Sequence, residues 1–104
     1  MGGWMSDAVA LNRKRLAKRA DEARALGFRW LVECRDMWDA HDDDAGVYFV
    51  PCEDEEKVGE VISIRDPDAA MSDKVLGIFD LSGPLSVQNF GVTRAQWLSG
   101  ERPL

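Results

Sequence analysis

ECRDMWDAHDDDAGVYFVPCEDEEKVGE, residues 33–60, is the stretch on which the fold turns. It holds eleven acids against two bases, a local net charge of −9 where the whole chain carries −6. The acids fall in two clusters. Between them runs Val47-Tyr48-Phe49-Val50, an apolar run of strand length bounded by turn residues. Two strands with charged connections are expected here: a loop over residues 36–46, a strand over 47–52, and a second loop over 53–59.

Upstream, residues 28–35 alternate. Phe28, Trp30, Val32 and Cys34 take one face, and Arg29, Leu31, Glu33 and Arg35 the other. That period of two predicts a half-buried strand, with the Phe/Trp/Val/Cys face turned toward the preceding helix. The helix is expected from about Asp7 to Leu26. Ser6 and Asp7 suit its N-cap, Gly27 its C′ position, and Val9, Leu16, Ala20 and Ala23 its apolar stripe. Arg13, Lys14, Arg15, Lys18 and Arg19 form a basic face that reads as solvated. Residues 1–6 read as a flexible N-terminal extension, and residues 7–104 as one domain.

Downstream, Glu60–Arg65 (EVISIR) reads as a third strand by alternation. Asp66-Pro67 opens a turn through Met71, Lys74–Leu81 reads as a fourth strand, and Leu85–Phe90 as a short fifth. Thr93-Arg94-Ala95-Gln96 fits a capping box, with Val92 and Trp97 placed as a hydrophobic staple and Gly100 as a stop. A short helix from Arg94 to about Ser99 follows. The expected class is α+β: an N-terminal helix packed on a mostly antiparallel meander sheet of four or five strands, with a short C-terminal helix.

Charge and motif content narrow the function classes. Residues 1–32 carry +4 and residues 61–104 carry −1, so the acid excess is confined to the middle. A net charge of −6 opposes general nucleic-acid binding, which needs cations against phosphates. No segment reads as a secretory leader or a bilayer span. Two cysteines without such a leader point to a reducing, cytoplasmic setting.

The loop Asp36-Met37-Trp38-Asp39 through His41-Asp42-Asp43-Asp44 offers oxygen ligands, and a metal-dependent hydrolase is one reading of it. With Asp39 as the first residue of an EF-hand loop, Asp44 stands where glycine is required, so that motif fails. His41 is the lone histidine, too few for a multi-histidine metal centre. Neither G-x-S-x-G nor a phosphate-binding glycine motif occurs. Pairing the first two strands about a residue sum of 81 sets Cys34 against Val47 and Cys52 against Arg29, offset along the ladder. Two buried thiols are therefore expected rather than a disulfide or a zinc site.

No catalytic residue, cofactor site or metal site is assigned. The residues expected to meet a partner are the acids and the apolar pair among them: Asp36, Met37, Trp38, Asp39, Asp42, Asp43, Asp44, Glu53, Asp54, Glu55 and Glu56. Carboxylates on a stiff scaffold can imitate duplex phosphates and enter a basic groove. The expectation is a non-enzymatic binding or inhibitor protein that engages a basic protein surface of a nucleic-acid-handling complex. Small acidic inhibitors of phages and mobile elements, such as anti-CRISPR and anti-restriction proteins, are the class-level analogy. The alternative is an assembly subunit whose sheet edge pairs with a second copy as a homodimer.

Overall fold

Gly27 ends the first helix and aims the chain at the sheet. Its φ is +88°, a left-handed conformation that glycine adopts without strain. Phe28 N–H bonds Ala23 C=O at 3.0 Å and Gly27 N–H bonds Arg24 C=O at 3.0 Å, which closes the helix as a Schellman motif. The computed structural model describes residues 3–36, 46–65, 73–82 and 91–103, with side chains of the first helix from Lys14 onward. The order is α1 (Gly3–Ala25), β1 (Trp30–Arg35), β2 (Val47–Cys52), α2 (Glu55–Ser63), β3 (Lys74–Asp80) and α3 (Arg94–Leu98). The class is α+β. Helix α1 begins at Gly3 rather than near Asp7.

The described sheet has three strands in the order β2-β1-β3, all antiparallel, not the expected four or five. Glu60–Arg65 is not a strand, and residues 53–59 are not a loop: Glu55–Ser63 is helix α2. The reason is visible in its spacing. Val58, Val61 and Ile62 are buried, positions i, i+3 and i+4 of a helix, whereas Ile64 is exposed. Asp54 is the N-cap, its Oδ1 accepting from Lys57 N–H at 2.9 Å, and Glu55 and Glu56 sit in the first turn against the positive end of the helix dipole. The sheet is therefore no meander. After α2 the chain pairs β3 on the far side of β1. The expected turn at Asp66–Met71 and the expected strand at Leu85–Phe90 lie outside the described residues.

Strand β1 is central and covered on both faces, so Leu31 is as buried as its neighbours Trp30 and Val32. The Trp30, Val32 and Cys34 face does not meet α1, as its alternation had led one to expect. It packs on Val58, Val61 and Ile62 of α2 and on Trp97 of α3. The opposite face, with Leu31, Phe79 and Leu81, shares a cluster with Ala20 and Ala23 of α1. The β1–β2 pairs sum to 82, one more than expected: Cys34 faces Tyr48 and Cys52 faces Trp30. Both cysteines are free and buried. Between β1 and β3 a bulge falls between Glu33 and Cys34, which face Gly77 and Val75. Leu76 is the unpaired residue and is 44% exposed.

The capping box of α3 forms as its sequence implies. Gln96 N–H donates to Thr93 Oγ1 at 3.2 Å, and Thr93 N–H donates to Gln96 Oε1 at 2.8 Å. This fixes Trp97 edge-on to Trp30, with ring centroids 5.0 Å apart. The Arg102 guanidinium lies 3.7 Å from the Trp97 ring centre, and its Nη2 reaches Glu55 at 3.2 Å. Each buried indole removes roughly 150–250 Å² from water. At about 25 cal/mol per Å² that stabilises by about 4–6 kcal/mol per ring before entropy is counted.

Candidate functional site

Two groups of side chains stand out, one acidic and exposed, one polar and partly buried. The acidic group follows from how α2 starts. Glu53, Asp54, Glu55 and Glu56 are all exposed at its N-terminus, with Glu60 one turn further along. They are not equivalent. Asp54 is committed to the cap. Glu55 is held by Arg102 through two bonds of 3.2 and 3.3 Å. Glu60 meets Lys57 at 3.3 Å. Glu53, Asp54, Glu56, Lys57 and Glu60 surround a shallow depression of about 280 Å³ that also includes the apolar groups of Phe28 and Pro51.

Asp36 lies at the other end of the β1–β2 hairpin, where its N–H donates to Gly46 C=O at 2.8 Å. Six residues of strand separate it from Glu53, roughly 20 Å at 3.3–3.4 Å per residue. The structure thus does not bring Asp36 together with Glu53–Glu56. Met37, Trp38, Asp39, Asp42, Asp43 and Asp44 lie outside the described residues, as does His41. The metal-hydrolase candidates therefore have only Asp36 in view. Among the described residues, no three His, Cys, Asp or Glu side chains converge as a metal site requires.

The second group is one that sequence reading missed. Tyr48 stands opposite Cys34. Its hydroxyl donates to Asp73 Oδ2 and accepts from Arg65 Nε at 3.1 Å. Arg65 also donates to Val61 C=O at 2.7 Å, closing the last turn of α2. The one signal that could have found it was a cation at the end of a helix, where carbonyls lack partners. That signal was hidden because the segment was read as a strand.

The chemistry of this group is quiet. Burial pushes the Cys34 thiol up to about 11, and the Arg65 guanidinium only partly offsets it. Burial does the same to Cys52, also to about 11. Burial, with the bond to Asp73, raises the Tyr48 phenol to about 12. All three stay protonated near neutrality, so none is a ready nucleophile or base. The cluster ties the end of α2 to β2 and to the start of β3. Elsewhere, Glu33 between Phe49 and Gly77 has its carboxyl raised by burial.

No known protein family, curated protein or solved structure matches the chain. No described helix is long and apolar enough to cross a membrane.

Proposed function

We propose that the protein acts by binding rather than by catalysis, through its acidic residues, on a basic protein surface of a nucleic-acid-handling complex. The observation that supports this is the start of α2, where Glu53, Glu56 and Glu60 ring the Phe28–Pro51 surface on a capped helix. Carboxylates around an apolar centre suit a basic partner: charge speeds the encounter, and the apolar contact slows release. The acids of residues 36–44, with Met37 and Trp38, belong to the same reading as a second contact. A phage or mobile-element inhibitor, of the anti-CRISPR or anti-restriction kind, is the biological role that fits such a surface.

The test is a pull-down from the native host at low and high salt, with partners identified by mass spectrometry. Two variants accompany the wild type: Glu53→Lys/Glu56→Lys/Glu60→Lys, which spares the cap and the Arg102 pair, and Asp42→Lys/Asp43→Lys/Asp44→Lys. A basic partner, held at low salt and lost in at least one reversal variant, is the expected result. A partner that both variants retain, or one that is not basic, would sink the reading.

The alternative reading is an assembly subunit. It draws on β2, whose outer side no described strand pairs. Light scattering would show a dimer or larger that both reversal variants preserve.

A further inference from the structure

The outer side of β2 carries an inference of its own, independent of the acidic surface. Asp36 N–H bonds Gly46 C=O, and the β1–β2 pairs run in step from there. The even-numbered residues of β2 therefore turn their backbone groups toward β1, and Val47, Phe49 and Pro51 turn theirs outward. Pro51, which has no N–H, falls where none is needed by the ladder, as prolines on edge strands do. No described strand pairs that edge, which offers the N–H and C=O groups of Val47 and Phe49 and the C=O of Pro51.

Beside that edge lies a groove of about 610 Å³, between β2 and α1. One wall holds Val47, Phe49 and Pro51; the other holds Arg15, Lys18 and Arg19. Leu26, 76% exposed, forms part of its lining. Among the described residues that line it, Glu22 is the one acid, and Arg19 holds it at 3.0 Å. The groove thus combines a strand edge that no described strand pairs, an apolar wall and a cationic wall, in a chain whose net charge is negative.

We infer that this groove binds an extended acidic segment of a partner protein, which adds to the sheet as a strand alongside β2. Strand addition supplies the main-chain bonds. Alternate side chains of the added strand enter the groove, apolar ones against Val47 and Phe49 and carboxylates against Lys18 and Arg15. A second copy of this chain is the poorer occupant. Antiparallel β2–β2 pairing about a two-fold axis would set both α1 helices on the same face, with their cationic walls turned toward each other.

The test titrates the full chain, labelled with nitrogen-15, with a capped peptide of about seven residues, long enough to span β2, in which every second residue is in turn Glu and Val and Thr stands between them, so that one face carries both side-chain types. The control Lys–Val peptide has Lys in place of each Glu on that same face, and a single-stranded oligothymidylate is the third probe. The Glu–Val peptide is expected to shift the Val47 and Phe49 amides and slow their exchange with solvent, while the Lys–Val peptide does not. Lys18→Glu, on an exposed position, is expected to weaken binding about tenfold or more. The inference is overturned if neither peptide binds, if both bind alike, or if Lys18→Glu binds as the wild type does. Oligothymidylate moving the same amides in place of the Glu–Val peptide would give the groove to nucleic acid. A dimer joined through β2 before any probe is added would give it to a second copy. The Glu53, Glu56 and Glu60 reversals do not weaken this binding, so the two proposals fail separately.

Discussion

The two faces of the sheet are built differently. Toward α2 and α3 the core is made of large side chains: Trp30, Ile62 and Trp97, with Val32, Val58 and both cysteines. Toward α1 the described helix contributes buried Ala20 and Ala23 and half-buried Leu16, and the fully buried bulk comes from the sheet itself through Leu31 and Phe79. The outer surfaces differ as well. Exposed Lys14, Arg15, Lys18 and Arg19 lie on α1, while exposed Glu53, Asp54, Glu55, Glu56 and Glu60 lie on and before α2. The sheet separates opposite charges as it separates two cores. One face is held by interlocked rings and caps; the other is held by the sheet's own apolar side chains packed under a mostly small-residue helix stripe.

The sharpest way to break that contrast is Trp97→Ala. It empties the space between Trp30 and Arg102 and should cost about 3–5 kcal/mol, read as a lower midpoint in urea with an unchanged slope. A loss under about 1 kcal/mol would show that the α3 side is not the firmer one.

Next in size is Gly91→Ala, which probes the α1 side through Phe79. A Cβ at Gly91 would stand 2.9 Å from the Phe79 ring and 3.1 Å from Ile78 C=O. Overpacking of this kind should cost about 1–3 kcal/mol by the same measurement. A neutral result would mean that the ring moves freely over the small residues beneath it.

The smallest effect concerns Glu33, on the α1 face. Its folded carboxyl is raised by burial, so its contribution to stability is intact below the unfolded value, near 4.5, and is lost as pH rises through the higher folded value. Glu33→Gln should therefore be more stable than the wild type at neutral pH, with the gap closing as pH falls toward 4.5. Paired melts across pH check this, and a gap that widens in acid would show the carboxylate to be stabilised in the fold.

Much of this contrast could be read in the residues, and part could not. The strand at Val47–Cys52, the glycine stop at Gly27 and the capping box at Thr93 are local signals, and each forms as read. Helix α2 was missed because EVISIR satisfies alternation and helical spacing alike over so short a span, and Gly59 looked like a loop residue. The better signal was the acid run before it: Asp54 with Glu55 and Glu56 is a cap and first turn before it is a surface. The burial of both faces of β1 was equally hidden. Alternation names two faces but not which neighbour covers each, and Leu31 is apolar in a set otherwise charged. The acidic site was legible as composition only; the division of its carboxylates among cap, ion pair and open surface is set by where α2 begins and by Arg102 folding back onto it.

The bulge opposite Glu33 and Cys34 has a further consequence. A straight ladder would set Leu76 against Cys34 and Val75 against Arg35. The bulge leaves Leu76 over, brings Val75 to Cys34, and makes the two cations Lys74 and Arg35 cross-strand partners. Strand β3 is thus one residue longer than its pairing uses. That spare residue divides the strand in two. Below it, Ile78 and Phe79 keep strict step with Val32 and Leu31; above it, Lys74 and Val75 follow a frame displaced by one. The strand cannot slide as a whole without losing one half of its match, so a single surplus residue acts as a latch on the alignment of the entire sheet.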